Sequence, residues 1–409
     1  MKIIYLIFTF ITHPFLYLIL KKRVKNFKED KLRYKEKLGY SRIKNIENVI
    51  WFHVASLGEI KSIYPIIKYY QKNGEIKILI TSVTLSSYTF FEKNLKNKNT
   101  IHQYAPLDSP IIISRFLKKW KPKISIFVES EIWPNLIIKS SKVSKLILLN
   151  CRISKNSFKR WRFFRKTFTD ILSHFSYITA QNNETIKYLN YFNIQNVRNL
   201  GNIKFIALEK IKKKNIEIKN NIKKTWAAMS IHFDELDHII DTHQILNSKL
   251  NGVLTFLIPR HLNRLKEIEK KITSKSINLV KISECKKMNA PSGIILVDQF
   301  GIADEVFNYT KCVFMGGSFI DHGGQNPIEP LRFGCKILYG KNVFNFTEIY
   351  NELSKKNMAE LVINPSDLHI RVLNIFKYIN NTSNNDYVEK LSKDILQRTT
   401  DFLSKEIYK

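Results

Sequence analysis

Three short stretches of the 409-residue chain set acids, glycines and cations at spacings that suit group transfer. The first, Ala55-Ser56-Leu57-Gly58-Glu59, follows an apolar run, and ligands of open α/β sheets gather beyond the carboxyl ends of such strands. Gly58 permits close backbone approach, and Glu59 opens the next helix at the mouth of that crevice. Its carboxylate suits a general base, or equally a favourable partner for the helix dipole. The second, Glu129-Ser130-Glu131-Ile132-Trp133-Pro134-Asn135, also leaves an apolar run. If the strand persists, Glu129 and Glu131 share a face and can stabilise a cationic transition state. Otherwise they cap a helix whose first turn holds Pro134. The third joins Gly316-Gly317-Ser318 to Gly323-Gly324-Gln325-Asn326-Pro327-Ile328-Glu329-Pro330. Its glycine pairs expose backbone N–H groups, a helix starting near Pro327 would aim its positive end at a phosphate, and Glu329 can accept from ribose hydroxyls. A glycine turn required by sterics alone competes with that reading. The spacing is not GxGxxG, so a redox role has little support.

Two cations add to the set. Arg260, after Pro259 and before His261, offers a planar fork for phosphate or carboxylate, and Lys204 sits in Gly201-Asn202-Ile203-Lys204-Phe205. No DxD triplet occurs, so the usual carboxylate site for a metal bridging a diphosphate is missing. Residues 158–166, FKRWRFFRK, interleave aromatics and cations, which fits a membrane surface or phosphorylated lipid, a half-buried helix, or single-stranded nucleic acid.

Positioning these groups requires a parallel sheet wrapped by helices. Strands are expected at 49–54, 76–83, 124–130, 145–150 and 177–180, then at 225–229, 252–259, 277–282, 293–298, 311–317 and 335–340, giving two similar halves. The charged stretch 206–224 reads as a helix or linker between them, and the tail after about 365 reads as helical. Cys151, Cys285, Cys312 and Cys335 lie far apart, which offers neither a disulfide framework nor a zinc site and suits small core residues in a reducing compartment.

Lys and Arg outnumber Asp and Glu by 67 to 35, a net charge of +32 that directs attention to nucleic acid or an anionic membrane surface. The Lys, Asn and Ile bias runs through the whole chain, so the clustering of charge says more than its sum. Residues 3–20 carry no charge and have about the length of one bilayer-spanning helix, although His13 and Pro14 weaken the middle. A kinked spanning helix and a segment entering one leaflet both fit. Lys21, Lys22, Arg23, Lys25, Lys28, Lys31, Arg33, Lys35 and Lys37 follow, which would keep the remainder cytoplasmic and hold it against anionic headgroups.

In their order, these elements resemble the transferases of 3-deoxy-D-manno-octulosonic acid (Kdo). The matching pieces are ASLGE at 55–59, APLD at 105–108, ESEIWPN at 129–135, NCRIS at 150–154, GNIKF at 201–205, PRH at 259–261, GGS at 316–318 and GGQNPIEP at 323–330. The resemblance implies an α/β fold of two Rossmann-like domains facing a cleft (GT-B) behind an N-terminal membrane-anchor helix. It implies an anchor at 1–22, an acceptor-binding domain at 23–205, and a nucleotide-sugar-binding domain at 206–409 whose last helix crosses back. Glu59 matches the catalytic base, and Glu129 and Lys204 match transition-state stabilisers. Pro259, Arg260, Phe300, Gly301, Ile302, Asn326, Pro327, Ile328 and Glu329 match the CMP-binding stretches. The implied reaction is inverting transfer of Kdo from CMP-Kdo to a lipid A precursor at the bacterial inner membrane, with no metal, no other cofactor and no nucleic acid. Two donor-side departures stand out. Ser230-Ile231-His232-Phe233-Asp234-Glu235 replaces S-T-H-x-G-E, and Phe300-Gly301-Ile302-Ala303 replaces M-G-E-L. A GT-B transferase using a UDP-sugar, and a non-catalytic basic protein of membrane surfaces or nucleic acid, are the competing readings.

Overall fold

The computed structural model describes residues 2–43, 46–73, 76–206, 217–218, 224–284, 287–288, 292–378 and 384–408. They form two units, Met1–Leu208 with Ser392–Lys409, and Glu209–Leu391. Most of the stretch 206–224 lies outside the described residues.

The first unit is built on β1 (Ile50–His53), β2 (Ile78–Ser82), β3 (Thr100–Tyr104), β4 (Ile124–Val128), β5 (Lys145–Cys151), β6 (Tyr177–Ala180) and β7 (Val197–Arg198). All pair in parallel in the order β3-β2-β1-β4-β5-β6-β7. Parallel strands are covered on both faces, which is why β1, β2 and β4 are unbroken runs of buried residues. Trp51, Phe116, Trp120 and Phe127 fill the core on one side. The chain reverses its direction across the sheet between β1 and β4, so the carboxyl ends of those two strands bound the natural crevice. β3, which follows a polar segment and contains Thr100, His102 and Gln103, has no apolar alternation to announce it in the sequence.

From Ser392 onward the terminal helix Asn384–Ile407 belongs to this unit. Tyr70 donates to the Thr400 carbonyl at 3.2 Å, Lys123 donates to the Ile407 carbonyl at 2.9 Å, and the Arg198 guanidinium lies 5.1 Å from the centre of the Phe402 ring. A Cβ on Gly201, at φ +87°, would come within 2.9 Å of Ile395 on that helix, so only glycine fits there.

The apolar amino terminus departs from a single spanning helix. It is two helices, α1 (Lys2–Ile11) and α2 (His13–Lys25), interrupted at Thr12. Pro14 stands in the first turn of α2, where its missing N–H and its ring prevent the first helix from running through. Among the described residues no helix is long and apolar enough to cross a membrane. One face of α1 is bonded to the body: Tyr5 donates to Asp108 at 2.7 Å, and Asn135 donates to Thr9 Oγ1 at 2.9 Å. Ile7, Phe8, Phe10, Ile11, Phe15, Leu18 and Ile19 remain exposed.

The second unit holds β8 (Glu217–Ile218), β9 (Thr225–Ile231), β10 (Leu254–Pro259), β11 (Leu279–Lys281), β12 (Lys287–Met288), β13 (Gly293–Leu296), β14 (Cys312–Met315), β15 (Lys336–Tyr339) and β16 (Ala359–Leu361). β8 pairs with β12 alone, and the rest form a parallel sheet in the order β11-β13-β10-β9-β14-β15-β16. Here the reversal falls between β9 and β14. Cys151, Cys312 and Cys335 are buried as the sequence suggests, and Cys285 lies outside the described residues.

Candidate active site

Glu59 stands in the first turn of α3 (Leu57–Asn73), directly beyond β1. Its Oε2 accepts the Ala55 N–H at 2.7 Å and its Oε1 accepts the Ser56 hydroxyl at 3.1 Å. The Ser56 hydroxyl in turn accepts the Glu59 N–H at 3.3 Å. Ser56 and Glu59 thus form a reciprocal cap, so the dipole-partner reading of Glu59 describes its resting state. The same geometry tunes its acidity. Burial, followed by the negative charge of Glu129, pushes its pKa to about 8; the Ala55 hydrogen bond opposes this, Glu131 adds less, and the Ser56 hydrogen bond opposes least. A carboxyl so perturbed, at the reversal point of a parallel sheet, has the character of a functional group.

Glu129 and Glu131 do not share a face. β4 ends at Val128, and Glu129 adopts φ +62°, a left-handed conformation that costs a non-glycine residue about 1–3 kcal/mol. That turn sends the two carboxylates to different partners. Glu129 pairs with Lys204 Nζ at 2.8 Å, whereas Glu131 accepts from Trp133 Nε1 at 2.6 Å and faces His53 Nε2 at 3.7 Å. Burial pushes the Glu131 carboxyl up, but hydrogen bonding and charge from His53 hold it below its ordinary value. Neither acid caps the helix Pro134–Ser140; Asp108 does, accepting the Asn135 and Leu136 N–H groups at 3.3 and 2.8 Å.

Lys204 is aimed from a single helical turn, Ile203–Phe205. Asn150, at φ +58° near the end of β5, accepts the Ile203 N–H at 3.1 Å, and Asn202 accepts the Lys204 N–H at 3.0 Å. The NCRIS and GNIKF motifs therefore form one device that points an ammonium group at Glu129. Residues 158–166 divide their aromatics: Phe158 stacks on Tyr188 at 4.0 Å and Trp161 on Phe168 at 4.4 Å, while Phe163 and Phe164 stay exposed.

In the second unit the donor-matching stretches follow three of four adjacent interior strands, β13-β10-β9-β14. Pro259 and Arg260 end β10, Phe300-Gly301-Ile302 follows β13, and Asn326-Pro327-Ile328-Glu329 lies in the loop after β14. Arg260, Phe300 and Gly301 are exposed, whereas Pro327 and Ile328 are buried. The glycine loop is not an open amide cradle. Gly317, Ser318 and Phe319 donate their N–H groups to the buried carboxylate of Glu235, at 2.7, 3.2 and 3.1 Å. An internal anion thus occupies the nest that the sequence suggests for a phosphate. The helix beyond Pro327 is one turn, Ile328–Leu331, too short for much of a dipole. Of the departures, Ile231 is buried at the end of β9, Asp234 is exposed, and Ile302 precedes the helix Ala303–Phe307. Among the described residues no group of His, Cys, Asp and Glu has the makings of a metal site.

Residues 32–207 match the family model described as 3-deoxy-D-manno-octulosonic-acid transferase (kdotransferase). The Kdo transferase of Rickettsia typhi is 32% identical over 345 residues, which span 83% of this chain and 73% of the relative. The chain belongs to the Kdo transferase family. It is accordingly a glycosyltransferase. A probable mitochondrial Kdo transferase of Arabidopsis thaliana is 27% identical, over 99% of this chain and 94% of its own length. Among solved structures, a glycosyltransferase from Rickettsia africae matches with a TM-score of 0.56 over 90% of this chain and all of its own, at 13% identity, and shares the fold.

Family motifs account for residues that local pattern reading passes over. Asp108 of APLD and Asn135 of ESEIWPN hold α1, and Asn150 of NCRIS steers Lys204. His53 is missed altogether, because the last residue of a buried strand reads as core. Its only signal is a titratable side chain two positions before the Ala55 turn.

Proposed function

We propose that this glycosyltransferase moves Kdo from CMP-Kdo to a lipid A precursor, lipid IVA, in lipopolysaccharide core biosynthesis. The observation that carries the reading is the carboxyl of Glu59, poised at about 8 beside the Glu129–Lys204 pair at the sheet's reversal point. Glu59 takes the proton from a sugar hydroxyl of the acceptor. The oxygen attacks the anomeric carbon of Kdo while the bond from that carbon to the CMP phosphate oxygen breaks, and the configuration inverts. Glu129 offsets the positive charge that develops on the sugar. Lys204 offsets charge on the departing phosphate, and the stretches around Arg260, Gly301 and Asn326 hold the nucleotide. A CMP leaving group carries a single phosphate, so the reaction needs no metal to bridge a diphosphate, and no other cofactor.

The exposed apolar face of α1 and α2 enters one leaflet of the inner membrane, with Lys21, Lys22, Arg23 and Lys25 against anionic headgroups and the rest of the chain cytoplasmic. Three features support this: the break at Thr12, the exposure of Phe8, Phe10 and Phe15, and the bonds that fix the opposite face. The whole reading is tested by incubating the purified protein with CMP-Kdo and a tetraacylated lipid A precursor and reading product masses. A mass increase of Kdo units is expected. No product, together with thermal stabilisation by UDP and none by CMP, would transfer the case to a UDP-sugar enzyme.

A further inference from the structure

Three histidine rings that the proposed chemistry does not use meet in the second unit. His232, just beyond β9, stacks on His322 of the glycine loop, with ring centres 4.3 Å apart and planes within 10°. His261, one residue past Arg260 at the end of β10, meets His232 edge-on at 5.6 Å. The three come from the segments after β9, β10 and β14, of which β9 and β14 flank the sheet's reversal. His232 Nε2 is buried and has no hydrogen-bond partner among the described residues. A Cβ on Gly317, which has φ +67°, would lie 3.5 Å from that nitrogen and from His322 Cβ, and 3.6 Å from Gln325 Nε2. Glycine therefore keeps the approach to the nitrogen clear. The Gly317, Ser318 and Phe319 amides are spent on Glu235, so they are not available to an incoming anion, which side chains would meet instead.

The charges that act on His232 are mostly positive. Burial, then His322, His261 and Arg260, hold the His232 imidazolium below its ordinary pKa, and Asp234 alone pulls the other way. Glu235 accepts the His232 N–H at 3.2 Å and is engaged by the loop, and Asp321, which directly precedes His322, is exposed. Crowded imidazoles with an unpaired buried nitrogen lack one component, an anion.

We propose that His232, His322 and His261, with Arg260, form a receptor for the phosphate oxyanion of the nucleotide donor. A phosphate oxygen seated against His232 Nε2 favours the protonated ring there and so draws a proton into the cluster. This rests on the CMP-donor reading above. Proton uptake gives a sign that free CMP cannot mimic. The phosphate of CMP gains charge as pH rises, which alone would tighten binding to Arg260, whereas a histidine receptor weakens.

The test is calorimetric titration of the full chain with CMP and with cytidine at pH 6 and pH 8. CMP affinity is expected to fall by about tenfold from pH 6 to pH 8, with cytidine unchanged, since tenfold corresponds to about one unit of linked pKa. His322→Asn and His232→Gln should each weaken CMP by about tenfold at pH 6, flatten the pH dependence and leave cytidine alone. His322 is exposed, so its variant decides the matter if melting shows that His232→Gln does not fold. Wild-type CMP affinity and pH slope in a folded His322→Asn variant would overturn the receptor while leaving the donor reading intact. Failure of the wild type to bind CMP at either pH would overturn both.

Discussion

In the resting protein at pH 7 Glu59 holds its proton, because its pKa of about 8 lies above the solution value. A base in that state works only in its ionised fraction, so kcat/KM should climb with pH to a limb near 8, measured by initial transfer rates across pH 6 to 9. Glu129→Gln removes the largest charge opposing ionisation of Glu59; the limb should then move to lower pH even as the maximal rate falls. Glu59→Gln should cut transfer by about 10²–10⁴-fold with CMP-Kdo binding retained, and near-normal turnover would remove Glu59 as the base. The same residue leaves a mark on stability. Its carboxyl is raised in the fold from an ordinary 4.5, so it contributes stability that is complete at low pH and is lost as pH rises from about 4.5 through 8. Glu59→Gln should therefore lose less melting temperature than the wild type between pH 6 and pH 9.

Elements position these residues through contacts that can be broken one at a time. Gly201→Ala places a methyl group 2.9 Å from Ile395 and holds alanine at φ +87°, which should cost at least about 1–2 kcal/mol in urea unfolding. Adding Ile395→Ala should recover the steric part and not the backbone part. Asp108→Ala strands the Asn135 and Leu136 amides and frees Tyr5, so a loss of about 1–3 kcal/mol is expected. Such pairings set the limits of what the sequence discloses. Buried parallel strands such as Ile124–Val128 and Lys145–Cys151 are legible because both faces demand apolar residues. Thr100–Tyr104 is not, since its polar side chains find partners that only the fold supplies, among them Trp120 donating to Gln103 at 2.8 Å. The motifs place Glu59, Glu129 and Lys204 in the chain. They do not disclose that Glu129 turns left-handed toward Lys204, or that Glu235 fills the glycine nest, because both depend on contacts between distant segments.

At the scale of the whole molecule, the proposed membrane association would draw on both the surplus of 32 positive charges and the exposed apolar helices at the amino terminus. Vesicles containing anionic lipid should retain the protein at low salt and release much of it at high salt, since headgroup attraction is screened. Phe8→Asp should abolish retention at either salt while leaving transfer to a detergent-dispersed acceptor intact. Tyr5 and Thr9 are tied to Asp108 and Asn135, and Asp108 caps the helix Pro134–Ser140, which begins three residues after Glu131. If α1 floats in the lipid surface, that fastening serves as a depth gauge: the carboxylates proposed to act in transfer ride at a fixed height over the bilayer. Sugars that protrude too little or too far would then be passed over, and acceptor choice becomes partly a matter of altitude.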